Sequence, residues 1–308
     1  MGAWINPSAV LTISDKTFSN GIISEISYKD INSHIKKLIQ KNKEIQIIQI
    51  NQPLPEKAFK IIDDLLKIRP DITFRIFGLM KGDDFDLDVL FNMKYLTKLR
   101  LEAHLVGDPH IIDSRKLCKL ENLKELSLNI FDLKDYSFIQ NLNPNIEKLV
   151  IMADTMKGTP VFDCQWLLKF SKLHTLALGQ KAKKNLKLIA KMPSLKALSI
   201  RGIKINDFFF LQNSSLESLS VLWCSVSDFN SLKVLKNLKY LELWRILKLD
   251  DISVISSLEK LETIKLQDLR HINQLPDISH LKNLKKIELI NMSIDQTNIP
   301  DNIEIIKW

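Results

Sequence analysis

One short pattern, Leu-x-x-Leu-x-Leu with Ile or Val as substitutes, returns along nearly the whole chain and decides what it can fold into. Clear copies are Leu96/Leu99/Leu101, Leu123/Leu126/Leu128, Ile146/Leu149/Ile151, Leu173/Leu176/Leu178 and Leu195/Leu198/Ile200. They continue at Leu216/Leu219/Val221, Leu238/Leu241/Leu243, Leu261/Ile264/Leu266 and Leu284/Ile287/Leu289. Weaker copies stand at Ile26, Ile45/Ile48/Ile50 and Phe74/Ile76, and a last one at Ile303/Ile306/Trp308. Counted on the middle residue, the steps run from 19 to 27 residues. An array of this period grows in one dimension, each unit burying its apolar face against the next. The 308 residues therefore do not need the two globular cores that length alone would suggest.

Within a copy, Leu-x-Leu alternates with period two, as a short strand does when one face is buried. The residues that follow carry a second signal. An Asp recurs about thirteen residues before the next central Leu, with Leu or Ile four residues later: Asp86/Leu90, Asp113/Leu117, Asp163/Leu167, Asp228/Leu232 and Asp251/Ile255, with Asp135/Ile139 and Asp207/Leu211 one residue off that phase. Asp accepts backbone N–H groups that the first turn of a helix leaves unpaired, worth about 1 kcal/mol. Each unit thus reads as strand, bend, short helical return and next strand. Two returns are long enough for amphipathic helices: residues 29–41, with Asp30 as cap, and 55–69, opened by Pro55 and closed by Pro70. Ala9–Ile13 reads as strand-like.

The motif resembles that of the leucine-rich-repeat family, nearest to its class of about 22 residues, and the resemblance covers residues 22–308. It implies an α/β architecture, a curved right-handed solenoid with a parallel sheet on the concave side and helices or short helical turns on the convex side. The expected organisation is an N-terminal cap at 1–21 and a single continuous solenoid at 22–308, with longer α/β repeats over 22–125 and shorter ones over 126–308. The family usually places Asn or Cys three residues after the last Leu of the motif, in a buried hydrogen-bond ladder. Here that slot holds Phe131, Asp154, Lys181, Ile203, Cys224, Ile246, Leu269 and Met292, so the later repeats are expected to fill the corner with apolar side chains.

Motifs for chemistry are absent from the sequence. No phosphate-cradling glycine loop, nucleophile elbow or H-E-x-x-H pattern occurs, and the six His fall in different repeats with no ligand spacing. Cys118, Cys164 and Cys224 are an odd set without CxxC, which argues against a disulfide framework or a zinc site; Cys224 sits in the ladder slot and is expected to be buried. Asp83, Asp84, Asp86 and Asp88 lack the Gly and terminal Glu of a calcium loop and read as capping charge. No enzyme activity, metal or cofactor is expected. The sequence shows no secretory signal and no apolar run of membrane-spanning length, so a cytoplasmic protein is expected. The net charge of +8 favours acidic partners without naming one. The run Lys181, Lys183, Lys184, Lys187 and Lys191 has no aromatic neighbours and reads as a solvated convex face rather than a nucleic-acid site.

A partner is expected on the outward columns of the sheet. Three central repeats present almost only small residues there: Thr175, Ala177, Gly179, Ala197, Ser199, Ser218 and Ser220. Leu222, Tyr240 and Trp244 border this floor on one side and Val150 and Met152 on the other, with Arg201 and Glu242 in the columns and Trp223 and Arg245 just past the strands. Trp, Tyr and Arg are the types enriched at energetic centres of interfaces. The expected site is therefore Tyr240, Trp244, Leu222, Arg201, Glu242, Met152, Trp223 and Arg245, and the expected function non-enzymatic binding of a protein. Heavy use of Lys, Ile and Asn points to an AT-rich, bacterial genome. In that setting a toxin-neutralising immunity protein is the favoured reading. The alternatives are a secreted effector acting on a host protein, or a basic module binding RNA or anionic lipid. No polar helix follows Ile303–Trp308, so the last strand edge is expected to be open, and the oligomeric state is undetermined.

Overall fold

A computed structural model describes residues 9–16, 25–80, 82–83, 85–108, 111–295 and 299–308. The chain packs as two compact units, Met1–Val161 and Phe162–Trp308.

In the first unit the strands are β1 (Val10–Ser14), β2 (Glu25–Ser27), β3 (Ile47–Ile50), β4 (Thr73–Leu79), β5 (Lys98–His104), β6 (Glu125–Phe131) and β7 (Lys148–Ala153). All pair in parallel, in the order β2-β1-β3-β4-β5-β6-β7. The strand-like reading of Ala9–Ile13 corresponds to β1. The weak copy at Ile26 is different: β2 lies outside β1, with Ile13 opposite Ile26 and Leu11 opposite Ile48, so it does not precede β3 in space.

Two returns are α-helices, α1 (Ser33–Lys41) and α2 (Glu56–Ile68). The cap of α1 is Asn32, whose Oδ1 accepts from the amides of His34 and Ile35 at 2.9 and 3.0 Å, rather than the expected Asp30, which ends a preceding 3-10 turn. One residue settles the join between α1 and β3. Arg69, just past α2, is only 2% exposed; its guanidinium donates to the carbonyls of Ile39, Asn42 and Ile45 at 2.9, 2.5 and 2.8 Å and forks onto Asp71. It thereby satisfies carbonyls that a helix end leaves without partners.

The second unit contains β8 (Thr175–Gln180), β9 (Ala197–Arg201), β10 (Lys204–Ile205), β11 (Ser218–Leu222), β12 (Ser225–Val226), β13 (Tyr240–Trp244), β14 (Thr263–Gln267), β15 (Lys286–Ile290) and β16 (Glu304–Lys307). Its parallel order is β8-β9-β11-β13-β14-β15-β16, with β10 and β12 as a separate small pair. The inward residues from Leu176 and Leu178 through Ile287 and Leu289 are at most 2% exposed. Each buried Leu or Ile contributes about 1.5–3 kcal/mol. The last copy slips by one: Ile305, not Ile306, lies opposite Ile287. Because side chains alternate, a slip of one residue turns Ile306 to the other face.

The short returns are short 3-10 helices, among them Ser114–Lys119, Cys164–Lys169 and Leu186–Lys191. Strands stand about 4.8 Å apart while an α-helix is about 10 Å across, so the narrower turn fits a short repeat. All seven Asp signals accept a backbone amide from the turn they open, from Asp86 to Asp88 at 3.0 Å through Asp163 to Gln165 at 2.9 Å and Asp251 to Ser253 at 2.7 Å.

The corner after the strand differs between the units. In the second, Ile203, Cys224, Ile246 and Leu269 are buried, as the ladder-slot reading expects. In the first, β5 and β6 run two residues further and β7 one, so Ala103, Ile130 and Ala153 take the inward position and Phe131 and Asp154 are only half-buried.

Candidate functional site

Ladder pairing in the second unit builds the outward columns strand by strand. One column runs Thr175, Ala197, Ser218, Tyr240, Thr263, Lys286. The next runs Ala177, Ser199, Ser220, Glu242, Lys265, Glu288, and the third Gly179, Arg201, Leu222, Trp244, Gln267, Ile290. Small residues on β8, β9 and β11 thus give way to Tyr240 and Trp244 on β13, with Leu222 directly beside Trp244. Arg201, Leu222, Trp223, Tyr240, Glu242, Trp244 and Arg245 are all half-buried, neither swallowed by the interior nor fully in solvent. Met152 is half-buried too, on β7 of the first unit.

A fourth column lies at the first residue past, or the last residue of, each strand. Gln180, Gly202, Trp223, Arg245, Asp268 and Asn291 all have φ between 50 and 65°. This left-handed turn has a physical cause. It swings the amide across to the next repeat, so that Gly202 donates to the Leu222 carbonyl (2.8 Å), Trp223 to Trp244 (2.7 Å), Arg245 to Gln267 (2.9 Å) and Asp268 to Ile290 (3.2 Å). Gly, Asp and Asn tolerate that conformation; Trp and Arg adopt it at a cost of about 1–2 kcal/mol. A side chain at Gly202 would also strike the Gln180 amide, 2.8 Å from where its Cβ would stand.

Trp223 is the hub of what this column presents. Its ring meets Trp244 edge to face with centroids 5.6 Å apart, and the guanidiniums of Arg245 and Arg201 lie 4.4 and 5.9 Å from its centroid. The Trp223 Nε1 and Arg201 Nε atoms are buried with no hydrogen-bond partner. Trp244 Nε1 donates to Asp268 at 2.9 Å, and Asn291 donates to the same carboxylate at 2.5 Å. Burial opposes ionisation of Asp268, but the hydrogen bonds from Asn291, Trp244 and Gln267 and the charge of Arg245 outweigh it and hold its pKa below the ordinary value. Burial raises the Tyr240 phenol, and the neighbouring Glu242 and Glu288 charges raise it further, so it stays a neutral donor. Glu242 accepts from Ser220 at 2.8 Å and pairs with Lys265 at 2.9 Å.

Sequence reasoning singled out Trp223 and Arg245 but missed Asp268 and Asn291, which lock Trp244 in place. A signal was present: Gly202, Asp268 and Asn291, all tolerant of positive φ, share one repeat position.

Elsewhere, Cys224 is buried and burial raises its thiol pKa. Asp86 and Asp88 pair with Lys116, and Asp83 accepts the Met80 amide, while Asp84 lies outside the described residues. In the basic run, Lys183, Lys184, Lys187 and Lys191 are exposed and Ile189 faces in. Among the described residues no group of three or more His, Cys, Asp or Glu could hold a metal ion, and no helix is long and apolar enough to cross a membrane.

No protein-family model and no curated protein matches the chain. Among solved structures, similarity extends to an internalin (inlF) from Listeria monocytogenes, at 21% identity and TM-score 0.49 over 88% of this chain and 82% of that one. A second Listeria monocytogenes internalin (inlC2) is similar at 22% identity and TM-score 0.45 over 66% and 88%. A plant peptide hormone receptor, solved in complex with RGF2, is similar at 14% identity and TM-score 0.45 over 86% and 43%. At these identities and scores no residue role and no partner carries across. With a parallel strand and a helical return recurring with the Leu-x-x-Leu-x-Leu motif in each unit, the chain is a leucine-rich-repeat solenoid.

Proposed function

We propose that the protein is a non-catalytic scaffold whose outward sheet face in the second unit binds another protein, with Tyr240, Trp244 and Trp223 at the centre. The observation that carries this reading is the half-exposure of three aromatic rings and Leu222 beside a floor of Thr, Ala, Ser and Gly. Small side chains let a partner's backbone come close, and large rings beside them offer area at low entropy cost. Nothing in the fold needs Tyr240 or Trp244 at outward positions, since the core is filled by the alternate residues. The narrower form of the reading is neutralisation of a toxin, which predicts a partner encoded beside this chain; a secreted effector predicts a host protein instead.

Capture from native lysate, followed by titration of the purified partner, tests the reading. Tyr240→Ala with Trp244→Ala should weaken binding by about 2 kcal/mol or more, the level of an interface hot spot, while the circular dichroism stays unchanged. Unaltered affinity in the double variant would remove this face from consideration. RNA or anionic vesicles that bind with affinity falling steeply as salt rises would replace the protein partner with a polyanion.

A further inference from the structure

On the sheet face around β11 to β15 most of the acidic side chains are ion-paired. Glu242 is held by Lys265 at 2.9 Å, Glu288 by Lys286 at 2.6 Å, and Glu217 by Lys239 and Lys196 at 2.7 and 3.1 Å. Arg201 and Arg245 have no such partner: no carboxylate of the described residues lies within ion-pairing distance of either, and neither side chain has a hydrogen-bond acceptor among them. Both are instead positioned on the Trp223 ring. Arg201 also has its Nε buried without an acceptor, which leaves a partly desolvated cation uncompensated. Arg245 stands in a left-handed conformation that glycine would adopt more easily. Backbone strain and two guanidiniums that make no direct ion pair, Arg245 feeling only the more distant charge of Asp268, mark a place built to receive something.

The chemistry of the receiver names the ligand. Two guanidiniums anchored on one ring present planar donors that match a carboxylate fork to fork. The surroundings select a single carboxylate over a polyanion. A nucleic-acid backbone laid across β11 to β15 would run over Glu242, Asp268 and Glu288, whereas one acidic side chain needs only the two arginines. Leu222 and Trp244, in the same column as Arg201, offer apolar contact beside that point.

We infer that Arg245, against the Trp223 ring, and Arg201, beside it, bind an Asp or Glu side chain of the protein partner, whose neighbouring apolar residue lies against Leu222 and Trp244. This inference rests on the partner-binding reading of the same face and adds to it the partner's chemistry.

The test uses two probes, the blocked peptides acetyl-Ser-Leu-Glu-Leu-Ser-amide and its Gln counterpart, titrated into the full-length nitrogen-15-labelled protein while the arginine Nε–Hε signals are followed. The Glu peptide should shift the Arg201 and Arg245 signals and bind at least about tenfold more tightly than the Gln peptide, the size expected of a charge-assisted hydrogen bond. Arg201→Gln and Arg245→Gln should each abolish that preference, and Arg245→Lys, which keeps the charge without the fork, should retain part of it. Equal binding of the two peptides, or none at millimolar concentration, overturns the inference. So does a twenty-nucleotide oligothymidylate that binds more tightly than the Glu peptide. If the natural partner is lost by the Tyr240/Trp244 double variant yet retained by Arg201→Gln with Arg245→Gln, the protein-binding reading stands and the carboxylate site falls.

Discussion

Replacing Arg245 by Gly separates what the fold requires from what the surface offers. At φ 50° the arginine carries a left-handed penalty of about 1–2 kcal/mol that glycine does not. Against that gain stand two losses. Glycine gives the unfolded chain extra freedom, costing about 0.4–1 kcal/mol, and the guanidinium's contact with Trp223 at 4.4 Å is worth about 0.5–1 kcal/mol at a partly exposed site. The amide that bonds to the Gln267 carbonyl at 2.9 Å is main chain and survives the change. The terms nearly cancel, so Arg245→Gly should leave stability within about 1 kcal/mol of the parent. Arg245→Val, which puts a β-branched side chain into the same conformation, should cost about 2 kcal/mol. Urea titration followed by tryptophan fluorescence reads this directly, because Trp166, Trp223, Trp244 and Trp308 all belong to the second unit. Loss of the Glu-peptide preference in a stably folded Arg245→Gly protein is the expected companion result. A loss of more than about 2 kcal/mol on going to Gly would show that the arginine holds the turn together and would undo the argument from strain.

Four further outcomes follow from particular contacts. Arg69→Leu strands the carbonyls of Ile39, Asn42 and Ile45 and should destabilise the first unit by about 3–5 kcal/mol, seen as a lowered unfolding midpoint in circular dichroism; a loss below about 1 kcal/mol would contradict the clamp. The hydrogen bond from Arg69, aided by its charge and that of Lys43, lowers Asp71 from 3.8 to about 2 despite some burial. Its share of stability is therefore complete above the unfolded value and drains as pH falls towards 2; Asp71→Asn should flatten the stability profile between about pH 4 and pH 2, and an unchanged slope would refute the pairing. Burial pushes the Cys164 thiol up to about 12 and raises Cys224 as well, so a thiol-exchange reagent at about pH 8 should label both only after denaturant is added. Asp163→Ala should cost about 1 kcal/mol or more through the lost Gln165 cap, and more than Asp251→Ala, because Asp163 also holds Asn185 at 2.9 Å and Lys184 at 3.1 Å.

The repeats were legible because burial writes itself into sequence at fixed intervals. Leu176, Leu198, Leu219, Leu241 and Ile264 fall opposite one another in the ladder where the motif aligned them, and each Asp signal opens a turn. The ends were less legible for an equally physical reason. At Ile303–Trp308 both Ile305 and Ile306 can face inward, and only the partner strand chooses the register. At Ile26 the motif predicted a strand but not its neighbour, since pairing partners are set by the path of the chain. Arg69 gave no warning at all: a lone arginine after a helix looks like any surface cation until three carbonyls converge on it.

The post-strand corner shows why outward residues are harder to read than inward ones. A core position accepts a narrow class of side chains, so its identity reports its place. The corner imposes a condition on backbone alone, a positive φ and an amide aimed at the next strand, and six different residue types meet it in the second unit. Where the occupant is Gly, Asp or Asn, backbone geometry is a sufficient reason for its presence. Trp223 and Arg245 meet the same condition at a cost, and they do so on adjacent repeats with their side chains stacked on each other. A residue that fits its backbone badly must be kept for its side chain, and on the open face Trp223 Nε1 and the neighbouring Arg201 Nε are buried without a hydrogen-bond partner while Arg245 lies against the same ring.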